Sequence, residues 1–296
     1  MWLRIADDAV ALGEPRLAVE GSLNVAMSHV DDAPRDISRP LATARDMTTA
    51  YGLVEDGGWV LYAEAEAAFA AGDWSRALDR AVAAMDVGEA NEYLRLTVRA
   101  IHVAVPIASI RGDRAILERA ARWYRSLQGR FEFPDSPYAR VVRVAQDLEL
   151  ADAGLWPRYL PDVEPRLAAF ANDPGGPSWS AALDRVTRAW IEAGALEGAQ
   201  RAIDETTAYF ERGSTSSHLG RGTYNLMRAR LATARGDREA VAEAGTQTLA
   251  EFRVSDAPWW SAKAIRQLER ARVANSAQVA EVEDIERHLG AIRPTP

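Results

Sequence analysis

The residues that most often carry enzymatic chemistry are few in this chain and lie far apart. The four histidines, His29, His102, His218 and His288, form no H-x-x-x-H pair and have no carboxylate at ligand spacing. Cysteine is absent, so the chain has no thiolate nucleophile, disulfide or cysteine metal site. No G-x-S-x-G elbow is present, and GSTSSH from Gly213 places His218 among serines only in a loop. The sequence therefore predicts a protein that is not an enzyme and holds no metal or cofactor.

The motifs that bind nucleotides are also missing. A phosphate-binding loop requires a glycine-rich turn followed by Lys and Ser or Thr, whereas the one lysine, Lys263, stands in WSAKAIRQ. Gly220 and Gly222 form a G-x-G in HLGRGTYN, but no strand precedes them and no third glycine follows at the required place. Paired acids such as Asp7-Asp8 fall at predicted helix starts or exposed faces, where capping explains them.

Charge and hydropathy narrow the classes of partner. The formal net charge of -8 argues against direct nucleic-acid binding, which requires a positive surface that releases counterions. The longest apolar run, IHVAVPIASI, is far shorter than the ~20 residues of a membrane span. Acidic residues occupy the beginning of the chain, MWLRIADDAVALG, where a signal peptide needs basic and then apolar residues. We therefore expect a cytoplasmic protein without a membrane partner.

The elements that must position any site are indicated by a repeated corner. Glycines at 72, 112, 154, 194 and 236 are separated by 40, 42, 40 and 42 residues, and similar steps reach Asp32 and Asn275. Glycine accepts the left-handed backbone that ends a helix, and a following Asp caps the next helix. Asp32 and Asn275 are predicted to take the glycine's place because Asp and Asn tolerate that conformation next best.

A fixed period of this size predicts pairs of helices that bury their apolar faces only by stacking on neighbouring pairs. Small residues recur after the corners, as at Ala77, Ala81 and Ala84, where two helices must approach closely. The chain is thus expected to form one all-α domain, 1–296, with corners near 32, 72, 112, 154, 194, 236 and 275. Residues 1–12 resemble the second helix of a pair and form a half repeat. Three prolines, at 157, 161 and 165, are expected to make the unit after Gly154 irregular.

One stretch carries a family resemblance. The run EAAFAAGDWSRALDRAVAAMDVG resembles the tetratricopeptide repeat, with Gly72 at the turn, Trp74 after it, and Ala77 and Ala84 at the small positions of the second helix. The longer period is similar to the repeats of the C-terminal solenoid of bacterial signalling ATPases and of LuxR-type or cyclase-associated regulators. The resemblance implies a right-handed α-α superhelix of about seven helix pairs, whose first helices line a concave groove.

In tetratricopeptide-like units the inward positions lie about 13, 10, 6 and 3 residues before the turn glycine. Carried over to this sequence, these offsets give candidate binding residues at Trp59, Tyr62, Glu66, Arg99, His102, Asp184, Arg188 and Arg230. Phe69, Ser109 and Thr233 occupy the same positions. Arginine suits carboxylates and phosphates, and aromatic rings suit apolar anchors, so a peptide or protein is the expected partner and a small polar ligand the alternative.

Each of these residues has an ordinary packing explanation as well. The aromatic side chains are equally suited to packing between adjacent pairs, and the arginines to pairing with acids of a neighbouring repeat. Trp179, Trp259 and Trp260 follow loops and are interpreted as core anchors. The expected function is a non-enzymatic binding or scaffold module of a signal-transduction or transcription-regulatory protein. The alternatives are a small-metabolite sensor and a homodimer formed through the N-terminal half repeat.

Overall fold

A computed structural model describes residues 2–30, 37–127, 137–157, 177–211 and 217–291. These residues form helices and no strands, and helices adjacent in sequence pack against each other. The prediction of an all-α protein built from neighbouring helix pairs is confirmed. The helices are α1 (Trp2–Leu12), α2 (Pro15–His29), α3 (Ser38–Tyr51), α4 (Val54–Ala70), α5 (Trp74–Ala90), α6 (Leu94–Arg111), α7 (Arg114–Leu127), α8 (Pro137–Asp152), α9 (Pro177–Glu192), α10 (Leu196–Glu211), α11 (His218–Arg235), α12 (Arg238–Val254), α13 (Pro258–Arg270) and α14 (Ser276–Leu289).

The chain divides into two compact units, Met1–Ala104 and Val105–Pro296, with the boundary inside α6. Each unit is built from consecutive helices and has its own core. The single domain 1–296 and its right-handed superhelical path stay predictions. None of the described helices has the length and apolar character required to cross a membrane.

The glycine corners have the backbone that their spacing predicts. All five adopt left-handed φ values between 70° and 78°, at positions 72, 112, 154, 194 and 236. After three of them an aspartate side chain accepts a hydrogen bond from the backbone N–H three residues later, at Asp73, Asp113 and Asp237. The glycine therefore ends one helix, and the aspartate satisfies an N–H of the next that has no partner within the helix.

The turn between α13 and α14 lies near Asn275, as predicted, but the left-handed conformation predicted for Asn275 is wrong. Its φ of −88° and ψ of 169° are extended, and it acts as the N-cap of α14 in a capping box with Gln278. The left-handed residue of this turn is Arg272, with φ 58°. The corner at Asp32, like Pro161 and Pro165, lies outside the described residues.

In the first unit α4 packs on α3 and α5 and also contacts α2. Ala77, Ala81 and Ala84 are fully buried on α5, as expected for closely packed helices. At Gly88, α5 comes so close to α6 that a side chain would not fit. A Cβ there would collide with Thr97 Oγ1 and lie 3.1 Å from the backbone nitrogen of Thr97.

In the second unit the first helices of three successive pairs lie side by side, since α11 contacts both α9 and α13. The apolar core under α9 and α11 includes Leu183, Trp190 and Met227. Trp259 and Trp260 at the start of α13 are also buried, in agreement with their interpretation as core anchors, whereas the side chain of Trp179 lies outside the described part.

Residues distant in sequence also meet in the second unit. The Nε–H of Arg111, at the end of α6, donates to the backbone carbonyl of Leu289 at 2.8 Å. This contact joins the first described helix segment of the unit to its last helix, although a row of repeats needs contacts only between neighbours.

Candidate functional site

The three side-by-side helices of the second unit bring charged side chains together at one buried point. Asp184 of α9 accepts hydrogen bonds from Arg230 Nε of α11 at 2.7 Å and from Lys263 Nζ of α13 at 2.7 Å. The side chains of Asp184, Arg230 and Lys263 are only 1%, 4% and 3% exposed. We call these three residues the Asp184 cluster.

Burial of three charges is costly unless each finds a partner. Both oxygens of Asp184 are engaged, Oδ1 by Arg230 and Oδ2 by Arg230 Nη2 at 3.2 Å and by Lys263. Burial alone would raise the pKa of Asp184, but the charges of Arg230, Lys263 and Arg188 outweigh burial and hold that pKa well below its usual range. Asp184 is therefore an ionised carboxylate that joins three helices.

Lys263 combines an ion pair with an aromatic contact. Its Nζ lies 3.6 Å from the centroid of the Trp259 ring, a cation–π distance. Burial lowers the pKa of Lys263 to about 8, because the attraction of Asp184 only partly offsets desolvation and the repulsion of Arg230 and Arg188.

Two further arginines of α9 extend the charge network. Arg185 contacts Glu149 of α8 at 3.1 Å and Asp152 at 2.5 Å. Arg188, with its side chain 14% exposed, has Glu192 Oε1 at 3.5 Å from its Nε. Burial, together with repulsion from Arg185 and Arg230, lowers the pKa of Arg188. Arg188 is thus repelled by Arg185 and Arg230 and attracted by Glu149 and Asp184.

Hydrogen bonds also join first helices of neighbouring pairs. Two of the residues that form them, Ser109 and Thr233, occupy positions that the repeat offsets predict to face inward. Ser109 of α6 donates to Glu149, and Gln267 of α13 donates to Thr233 of α11. A line of polar contacts therefore involves α6, α8, α9, α11 and α13 within the second unit. Asp184 and Arg230 touch directly, and Arg188 interacts electrostatically with both.

The predicted residues of the first unit form a separate group on α4. The Trp59 and Tyr62 rings meet edge to face, with centroids 5.8 Å apart, and Tyr62 Oη donates to Glu66 Oε1 at 2.8 Å. Tyr62 and Glu66 are buried and Trp59 is half-buried. All of these contacts lie within α4, and such contacts are as typical of helix packing as of a binding site.

Arg99 and His102 lie on α6, also in the first unit. Arg99 is half-buried and His102 is buried. A binding role for these residues stays a prediction.

The repeat offsets do not find Lys263, Arg185 or Glu149. Lys263 is not found because it lies between two inward positions, whether the offsets are counted from Asn275 or from Arg272, the left-handed residue of its pair. A signal was present, since the one lysine of the chain stands among apolar and small residues in WWSAKAIRQ.

Within the described residues, no group of three or more histidine, aspartate or glutamate side chains is arranged to hold a metal ion. No protein-family model matches the chain, and no curated protein matches it significantly.

Proposed function

We propose that this chain is a non-enzymatic binding and scaffold module, which receives a peptide or protein on the layer formed by the first helices of its pairs. The main support is the convergence of Asp184, Arg188 and Arg230 from two of these helices on one network. Residues chosen by repeat position alone therefore have a shared location in the second unit.

The chemistry of the Asp184 cluster supports binding over catalysis. A general base needs a free lone pair and a pKa near the working pH. Both oxygens of Asp184 already accept hydrogen bonds, and its pKa is held low by three cations. Such a carboxylate is a structural counter-ion, whereas the arginines beside it offer positive charge to a ligand.

A small-metabolite sensor is the second candidate, and the burial of the cluster favours it. The side chains of Asp184, Arg230 and Lys263 are almost fully enclosed, and an aromatic ring, Trp259, covers Lys263. A small ligand reaches enclosed groups more easily than a folded protein surface does.

The regulatory context rests on the tetratricopeptide-like resemblance. By that resemblance the chain is the solenoid part of a bacterial signal-transduction or transcription-regulatory protein, of the kind associated with signalling ATPases. The proposed solenoid would present its first helices on the concave side.

Affinity capture with matched variants tests the binding function. The intact chain is used as bait, beside Arg99→Ala, Arg188→Ala and the control Arg201→Ala, which changes an exposed arginine on α10. We expect the bound proteins to decrease at least about tenfold with Arg188→Ala, as for a central interface arginine, and to be unchanged with Arg201→Ala.

Unchanged partners with all variants, together with unchanged helical circular dichroism, would contradict the proposal. Equilibrium dialysis against a metabolite mixture separates the two candidates. A small molecule retained by the wild-type chain but lost with Arg188→Ala, in the absence of any protein partner, favours the sensor.

The N-terminal half repeat is the proposed homodimer contact. Val10 and Leu12 at the end of α1 are 41% and 77% exposed, which leaves apolar surface on this helix. Light scattering over a range of concentrations should show a dimer that Leu12→Asp weakens. A strict monomer at the highest concentration removes this part of the proposal.

A further inference from the structure

We propose that Arg188 and Arg185, on the side of α9 that carries the charge network, bind an oxyanionic group of the ligand, a phosphate or a carboxylate. This inference rests on the proposed binding function and names the chemistry of its ligand at the same site. It starts from buried donors that lack acceptors in the described part of the chain.

Four buried side-chain nitrogen atoms in this region have no hydrogen-bond acceptor among the described residues, and the amide oxygen of Gln146 likewise has no donor there. The four nitrogen atoms belong to three side chains, as Arg185 Nε and Nη1, Arg188 Nε and Gln146 Nε2. Arg185 Nε lies 3.1 Å from Glu149 Oε1, but its N–H does not point at that oxygen and therefore forms no hydrogen bond with it. Gln146 lies one turn before Glu149 on α8, so it shares the face that meets α9. Buried donors of this kind ordinarily have partners.

The nearby carboxylates are already engaged. Asp184 is held by Arg230 and Lys263, and Glu149 accepts from Ser109 while contacting Arg185. Among the described residues, Arg188 forms its ion pair with Glu192, whose side chain is half exposed and whose Oε1 lies 3.5 Å from Arg188 Nε. In this part of the chain, Arg188 is therefore paired with a half-exposed acid rather than with a buried one.

The charges favour an anion over a neutral ligand. Arg188 interacts repulsively with Arg185 and Arg230, and a negative group beside it would relieve that repulsion. An oxyanion has several acceptor oxygens, and the guanidinium fork matches the spacing of carboxylate and phosphate oxygens. The 14% exposed Arg188 side chain gives such a group access from solvent.

The binding test uses two probes, inorganic phosphate and succinate, each compared with sodium chloride at equal ionic strength. Binding is measured on the full chain by the arginine Nε–Hε NMR signals and by isothermal titration calorimetry. The variants are Arg188→Gln, Arg188→Lys and the exposed control Arg201→Gln. We expect saturable binding of at least one probe, weakened at least about tenfold by Arg188→Gln and unchanged by Arg201→Gln.

Preference for phosphate identifies a phosphorylated ligand, and preference for succinate a carboxylate ligand. Equal affinity for Arg188→Gln and wild type would overturn the inference, as would shifts no larger than those with chloride. Arg188→Lys keeps the charge but loses the fork, so intermediate binding is expected.

A second readout needs no variant and covers the case in which Arg188→Gln does not fold. An anion beside Arg188 should raise the titration midpoint of Lys263, the one lysine of the chain, followed by its ¹³Cε signal. An unchanged midpoint at saturating probe would contradict the inference. Failure of this inference can be distinguished from failure of the proposed binding function. If only the inference fails, neither probe binds, but the chain still captures proteins in a way that depends on Arg188.

Discussion

Asp184 is the residue on which the buried charges of the second unit depend. Its carboxylate is the counter-ion that Arg230 and Lys263 share, and these two cations come from different helices. Removing one partner from a buried ion pair typically costs about 3–5 kcal/mol, because the remaining charge stays desolvated.

We therefore expect Asp184→Asn to lower the free energy of unfolding by about 3–5 kcal/mol, as for other broken buried pairs. The control is Asp284→Asn, which removes an exposed carboxylate paired with Arg287 and should cost less than about 1 kcal/mol. Urea unfolding measures both. Equal effects of the two variants would contradict the structural role of Asp184.

The replacement of all three charges extends this experiment. A variant with Asp184→Leu, Arg230→Met and Lys263→Met removes the carboxylate together with both cations that pair with it. It should be more stable than Asp184→Asn, because apolar groups of similar volume often replace buried ion pairs at little cost. A triple variant as unstable as the single one would show that shape, rather than charge compensation, governs this site.

The titration of Lys263 gives a prediction about pH. Its pKa is about 8 in the folded chain and 10.5 ordinarily, so between these values the unfolded chain holds a proton that the folded chain has released. The free energy of unfolding due to this group should therefore rise with pH across that interval. Lys263→Met should abolish this rise, measured as the difference between the two urea unfolding series. A wild-type ¹³Cε midpoint near 10.5 would refute the prediction.

At the scale of elements, the corners decide where helices end. Gly72-Asp73, Gly112-Asp113 and Gly236-Asp237 could be predicted because one residue type relieves left-handed strain and the next caps. The corner before α14 could not, because Arg272 takes the left-handed conformation although arginine has no preference for it.

Arg272→Gly should consequently stabilise the chain. Glycine relieves a left-handed strain of about 1–2 kcal/mol, and it costs about 0.5–1 kcal/mol of backbone entropy, so the expected net gain is about 0.5–1 kcal/mol. The matched control is Glu283→Gly, at an exposed position inside α14, which should lose about 0.5–1 kcal/mol of helix propensity. Thermal unfolding compares the two, and destabilisation by Arg272→Gly would count against a strained corner.

The candidate site was predictable to the extent that it follows the repeat. Asp184, Arg188 and Arg230 occupy inward offsets, and their meeting requires only that first helices lie side by side. Their burial was not predictable, because the repeat offsets indicate which way a side chain faces but not how much of it is shielded from solvent. Lys263 was missed because it lies between two inward positions, whether the offsets are counted from Asn275 or from Arg272.

At the scale of the whole molecule, two compact units each contain a buried acid that joins three helices packed side by side. In the first unit Glu64 of α4, with its side chain 1% exposed, pairs with Arg45 of α3 and with Arg80 of α5. This arrangement parallels the role of Asp184 in the second unit.

Hydrogen exchange should reveal the two units separately. Glu64→Gln is expected to speed amide exchange within residues 2–104, and Asp184→Asn within residues 105–291, because each substitution weakens contacts inside its own core. Mass spectrometry of peptides from each variant measures this. Equal acceleration throughout the chain with either variant would indicate one cooperative unit instead.

The enclosed position of Lys263 also determines how this chain can be labelled. Lys263 is the one lysine of the chain and it is buried, so reagents that acylate primary amines have no exposed lysine side chain to react with. A dye or a tether is better attached through cysteine, because the chain has none and one introduced thiol would be its sole point of attachment.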